Sequence, residues 1–344
     1  MALSKSESTI AESACAPAPA PTRKDDAVRI GLMIGPDKGR YDVKVARMTD
    51  AAAAAEREGF TSIWVPQIPS DFDALTAITL MAGVTRTVEL GTAVLPIQTR
   101  HPIAMAQQVL STQAVCDGRL VLGLGPSHHW IVEDMLGLSY EKPAQQVRDY
   151  LEVLTVALAG PGPVDVENAG YRIHNPLDVT DIGPTPILLA ALAPLMLRIA
   201  GEHADGTILW MADERAIGEH VVPRITKAAA DAGKPAPRVV AGVPVALCSN
   251  AEVADARERA NRVLGHAEYS PNYQRLLEHG DATDVGDLLA GGDEEAVVDR
   301  LQRFRDAGVT DLSVRILPLG ADRSERLASW RRTEEFLSAL CPDL

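Results

Sequence analysis

From residue 28 onward the sequence alternates between short apolar runs and longer segments of helical period. Eight runs stand out: 28–35 (VRIGLMIG), 61–67 (TSIWVPQ), 88–96 (VELGTAVLP), 119–125 (RLVLGLG), 186–192 (PILLAAL), 206–212 (GTILWMA), 238–248 (RVVAGVPVALC) and 310–318 (TDLSVRILP). Near-continuous apolar runs suit strands buried on both faces, and strands joined through helices run parallel. Two α/β architectures satisfy that pattern. Eight units predict a closed (β/α)₈ TIM barrel, and the alternative is an open doubly wound sheet.

The segments between the runs carry helix grammar. In 144–160, Val147, Leu151, Leu154 and Leu158 fall on one face. In 293–308, Asp293 is placed to cap a helix whose stripe is Val297, Leu301 and Phe304. Helices at 56–65 (EREGFTSIWV), 305–314 (RDAGVTDLSV) and 202–210 (EHADGTILW) are expected to close on a left-handed glycine just before a strand. Two stretches break the repeat. Residues 163–175 read as a hairpin turning at NAG, and 252–292 as a largely helical insertion. The expected organisation is a disordered tail over 1–27 and a single barrel domain over 28–344, with insertions near 161–183 and 252–292.

Composition narrows the function. Apolar residues are 46% and aromatics 4%, so Ala, Val, Leu and Ile must fill the core. A net charge of −14 disfavours nucleic acid and anionic membrane as partners. Cys15, Cys116, Cys248 and Cys341 form no C-x-x-C pair, which argues against a disulfide framework or a zinc knuckle. The first 27 residues lack the apolar stretch of a signal peptide, and no segment is long and apolar enough to span a bilayer. The expectation is a cytoplasmic enzyme acting on a small molecule.

Three strand ends carry candidate chemistry. In GLGPSHHW (123–130) the glycines admit close backbone approach, and N–H groups at 125–129 are placed to grip phosphate oxygens. Neither a dinucleotide fingerprint nor a Walker loop is present. His128 sits where a barrel puts a general acid or base, and a surface-loop histidine is the competing reading. His128 and His129 could also serve a metal-assisted hydrolase, but H-E-x-x-H is missing and no metal is expected. In LGTAVLPIQTRHP (90–102) small residues at a strand end suit a flat ligand. Arg100 and His101 there either meet an anion or make helix-entry hydrogen bonds. In ALAP (191–194) a helix starts at a strand end, a ready anion site.

Taken in order, GTAVLPIQTRHP, LVLGLGPSHHWIVEDMLGL and ALAPLMLRIAGEHADGTILWMA resemble the luciferase-like superfamily, and within it the branch using coenzyme F420, a deazaflavin. The resemblance spans about residues 28 to 340. It implies a cofactor at the C-terminal face of the barrel, and a non-proline cis peptide at Ala93–Val94 behind its ring. It implies cofactor contacts from Gln67, Ala93, Val94, Gly125, Pro126, Ser127, His128, His129, Leu192, Ala193 and Pro194. Ala193 stands where glycine is usual in the family's phosphate turn. His128 matches the position of a proton donor, and Trp130 and Trp210 are candidate pocket walls, with rim packing the alternative for both. Sugar-phosphate-oxidising relatives carry an Asp-His pair where this chain has Gln67 and Ile68, which argues against that substrate. The expected function is hydride transfer between coenzyme F420 and a small organic substrate. The alternatives are an FMN-dependent monooxygenase, the metal-assisted hydrolase and a non-catalytic cofactor carrier. Homodimers are common in the superfamily, so a homodimer is the analogous expectation.

Overall fold

The computed structural model describes residues 27–35, 41–265, 270–342 and 344. Residues 1–26, which hold Cys15 and nearly all of the expected tail, lie outside the described residues, as does His266. Strands β1 (Arg29–Met33), β2 (Ser62–Val65), β3 (Glu89–Thr92), β4 (Leu120–Gly125), β5 (Ile187–Leu189), β6 (Gly206–Leu209), β7 (Arg238–Leu247) and β8 (Asp311–Ile316) fall one in each predicted run. Each pairs in parallel with the next, and β8 pairs with β1, so the ring closes. Closure excludes the open doubly wound sheet. A helix follows every strand: α1 (Tyr41–Arg57), α2 (Ala74–Ala82), α3 (Pro102–Val115), α4 (Pro143–Ala157), α5 (Pro194–His203), α6 (Val222–Asp231), then α9 (Glu294–Asp306) and α10 (Arg323–Leu340). No helix among the described residues is long and apolar enough to cross a membrane.

Strand parity divides each strand between two environments. Leu90, Leu120, Leu122, Val239, Val243, Leu312 and Val314 point outward and join the helices in the main core. The inward positions form layers. At the N-terminal ends Arg238 pairs with Glu89 at 2.8 Å and with Asp311 at 2.9 Å, and Arg29 also pairs with Asp311. The middle layer is Trp64, Val121, Leu188, Ile208 and Val240. Large rings inside the barrel, Trp64 in this layer and Trp210 beyond it, each need a vacancy on the neighbouring strand. A Cβ on Gly91 would lie 2.4 Å from the Trp64 ring, and one on Gly242 would lie 2.4 Å from Trp210. The C-terminal layer stays open as a cavity.

Between β3 and β4 the register slips by one residue: Gly91 pairs with Val121, but Leu95 with Leu124. The extra residue makes a β-bulge at 92–94. The Thr92 hydroxyl stands in for the interrupted ladder, accepting from Gly123 N at 2.9 Å and donating to Gly123 O at 2.6 Å. A Cβ at Gly123 would fall 1.9 Å from Thr92 O, so the bulge requires glycine there. The Ala93–Val94 peptide within it is cis.

Local chemistry agrees with most of the helix grammar. Asp293 accepts from Ala296 N at 3.0 Å, and Gly59 and Gly308 close helices at φ 86° and 95°. Gly206 does not follow this rule. Helix α5 ends at His203 with an extended Ala204, and Gly206 already belongs to β6. It is glycine because a Cβ would lie 2.1 Å from Arg238 O. The predicted hairpin pairs 162–167 with 172–177, and its turn is held by Asn168 Oδ1, which accepts from Gly170 N and Tyr171 N. The insertion after β7 contains α7 (Val253–Leu264) and α8 (Pro271–Leu277). Asp213, just beyond β6, fastens it by accepting from Asp281 N at 2.6 Å and Ala282 N at 2.8 Å.

Candidate active site

The open layer is a cavity of about 550 Å³ at the C-terminal ends of the strands, within the range of small-molecule and cofactor sites. One wall comes from the bulge after β3, from β4 and from the segment after β5. It consists of Ala93, Val94, Gly125 and Ala190, none larger than valine. Close packing enforces the smallness, since a Cβ at Gly125 would sit 2.9 Å from that of Ala190. Leu192 and Ala193 extend this wall to the start of α5. Ala193 is the N-cap and offers no side-chain acceptor, and Pro194 is the first helical residue. Leu195 and Met196 in that first turn also line the cavity, and N–H groups at such positions have no acceptor within the helix and carry the positive end of its dipole.

The GPSHHW loop supplies the second side. Ser127 takes a left-handed φ of 59°, uncommon for a residue with a side chain. Its carbonyl accepts from Tyr140 Oη at 3.1 Å, and Pro126 O accepts from Gln98 Nε2 at 2.8 Å. His128 then reaches the cavity. Trp130 stacks on its ring at 4.4 Å and 13°, and Tyr273 from α8 leans on it at 5.4 Å. Burial, aided by the neighbouring His129, holds the His128 pKa below the ordinary histidine value. Burial pushes the Tyr273 hydroxyl up to about 12, so it stays protonated as a donor.

Ala93, Val94, Gly125, Pro126, Ser127, His128, Leu192, Ala193 and Trp210 thus line one space. Four residues of the expected set do not. Gln67 turns away to accept from Ala74 N at 2.9 Å, closing the start of α2. His129 is exposed and lies edge-on to Trp130. Trp130 backs His128 instead of forming a wall, and Pro194 is exposed at the helix start. His128 lines the cavity, whereas His129 is turned to the exposed side of the loop. His101 caps α3, its Nδ1 accepting from Ile103 N, and Arg100 pairs with Asp73, which are the helix-entry roles.

The closed ring also brings in residues the linear motifs do not single out: Met33, Tyr140, Tyr273, Ser313 and Arg315. One signal pointed to Arg315. In TDLSVRILP it is the one basic residue of an otherwise largely apolar strand, in step with the inward residues Asp311 and Ser313.

The model of the luciferase-like monooxygenase family matches residues 28–311. A 5,10-methylenetetrahydromethanopterin reductase of Methanolobus tindarius is 26% identical over 258 residues, covering 74% of this chain and 78% of that protein. The structure of the coenzyme F420-dependent tetrahydromethanopterin reductase of Methanopyrus kandleri superposes with a TM-score of 0.68 at 22% identity, over 90% of this chain and 97% of that one. The FMN complex of the oxygenating constituent of 3,6-diketocamphane monooxygenase from Pseudomonas putida superposes at 0.69 with 16% identity, over 92% and 99%.

Proposed function

The chain belongs to the luciferase-like monooxygenase family, and from that premise we propose that it is an oxidoreductase using a deazaflavin of the coenzyme F420 type on a small organic substrate. The observation that carries the proposal is the wall of Ala93, Val94, Gly125 and Ala190, which leaves room for a planar ring against backbone. The α5 start and the Gly125–His128 turn are the places for phosphate oxygens, through backbone N–H groups. The F420-dependent reductase neighbour supports a deazaflavin, and the FMN complex keeps FMN as the alternative.

When bound, the deazaflavin supplies or accepts a hydride at its ring carbon. The protein's part is position, exclusion of water and one proton. Trp210, Ile208 and Leu264 furnish apolar surface around the reacting space. His128, held by Trp130 and Tyr273, takes a proton from a substrate hydroxyl as hydride leaves, or returns it in the reverse direction. Its depressed pKa keeps the ring mostly neutral at pH 7, which favours the accepting role.

Parallel fluorescence titrations with a deazaflavin and with FMN test this reading. Tighter binding of the deazaflavin is expected. Preference for FMN, with substrate-dependent oxygen uptake, would instead establish a flavin monooxygenase.

A further inference from the structure

We propose that Arg315 makes this cavity a site for a substrate that carries a carboxylate on an apolar body. The proposal rests on the reading of the cavity as the substrate site.

Every residue on the inward face of β8 has a distinct fate. Asp311, at the closed end, is neutralised by Arg29 and Arg238. Ser313 is 1% exposed, and its Oγ has no hydrogen-bond partner among the described residues although it borders the cavity. Arg315 also borders the cavity, and its hydrogen-bond partner among the described residues is Met33 Sδ at 3.9 Å. No Asp or Glu is among the lining residues, and no ion pair to Arg315 occurs among the described residues.

The molecule treats its other half-buried arginines differently. Arg238 has Glu89 and Asp311, Arg300 has Glu214 at 3.0 Å, and Arg119 donates to Val88 O at 2.8 Å. A guanidinium cannot shed its proton, so a desolvated one demands an anion or a set of acceptors. Burial is also what depresses the Arg315 pKa. A ligand carboxylate meets the demand: its two oxygens match the guanidinium fork, and Ser313 Oγ adds a donor beside it. The rest of the lining near it, Met33, Pro66, Ile208 and Trp210, is apolar or aromatic and suits a hydrocarbon body.

Position separates this group from the cofactor wall. In the ring order β8 stands four strands from β4 in either direction. A ring lying against Gly125 and Val94 therefore leaves Arg315 facing it across the cavity, where a substrate would enter between them.

The test is calorimetric titration of benzoate, phenylacetate and cyclohexanecarboxylate against their primary amides, on the full chain with and without bound deazaflavin. The carboxylates are expected to bind at least tenfold more tightly than the amides. Arg315→Met should erase that preference, Arg315→Lys should keep part of it, and Ser313→Ala should weaken the acids and leave the amides unchanged. Without ligand, Arg315→Met should melt at a higher temperature, because an uncompensated cation has been removed. Equal binding of acids and amides, or no binding of either, overturns the proposal. So does a weaker hold on the deazaflavin in Arg315→Met with the acid preference intact, which would assign the arginine to the cofactor. Failure of the deazaflavin to bind at all would strike the cofactor reading alone, since the acid preference is also read on the cofactor-free chain.

Discussion

The role proposed for His128 rests on its neighbours. Its backbone carbonyl accepts from Ile131 N and Val132 N, which starts the π-helical turn over Ile131–Met135. Trp130 and Tyr273 then fix the ring, and the same enclosure lowers its pKa. A histidine with a lowered pKa is protonated only at more acid pH. The rate of substrate oxidation should therefore rise with pH to a plateau, with its midpoint below the ordinary histidine value of about 6.5. The rate of reduction should fall through the same interval. His128→Ala should lower kcat about 10²–10⁴-fold at saturating cofactor and abolish this limb, with cofactor affinity nearly unchanged. His129→Ala, whose side chain is exposed, should leave both kcat and the limb alone. A loss of cofactor affinity in His128→Ala with kcat retained would reduce the residue to a brace for the loop.

Elements were legible in the sequence to the degree that their pattern is local. All eight strands were, because their outward residues, such as Leu120, Leu122 and Leu124, pack under helices and read as apolar bursts. The hairpin was, because Asn168 and Gly170 make their own turn. The bulge and its cis peptide were legible only by resemblance, since the Thr92–Gly123 exchange joins residues far apart in the chain. The same holds for the link between the insertion and the cavity wall. His220, in the π-helical turn over Ala216–Val221, stacks on His279 at 3.9 Å, and its Nε2 lies 2.9 Å from Leu192 O. A carbonyl only accepts, so Nε2 carries the hydrogen and the buried Nδ1 is left bare. Protonating Nδ1 would place a charge in a desolvated spot beside His279 and Arg224, and the His220 pKa is lowered accordingly. As pH falls below about 6.5 the unfolded chain takes up a proton that the folded one refuses, so stability falls with it. Thermal melts at successive pH values should show this decline. His220→Gln, which keeps a donor for Leu192 O, should flatten it in part, the remainder belonging to His128 and, at more acid pH, to carboxylates with lowered pKa values such as Glu56. An unchanged pH slope would show that the pair carries no such linkage.

At the scale of the whole barrel, the inward residues sort stability and function to opposite ends. The hydrophobic layer of Trp64, Val121, Leu188, Ile208 and Val240 separates the ion network from the cavity. No local pattern reveals this sorting, because each strand contributes only one or two residues to a layer and the layers exist only once the ring is closed. Met33, Tyr273 and Arg315 meet in space from three distant parts of the chain for that reason. The separation makes a prediction about Asp311. It is 1% exposed, and it holds Arg29 and Arg238 at the closed end. Asp311→Asn keeps the shape and removes the charge, which leaves two arginines with Glu89 as their shared anion. Breaking a buried ion pair on one side costs about 3–5 kcal/mol, and that loss should appear as a lower midpoint in urea unfolding. Deazaflavin affinity and carboxylate preference should be unaffected under conditions where the variant remains folded, since the middle layer stands between the two ends. A variant that unfolds normally but binds ligand weakly would show that charge at the base reaches the cavity through the packed layer, and the two ends would then have to be treated as one electrostatic unit.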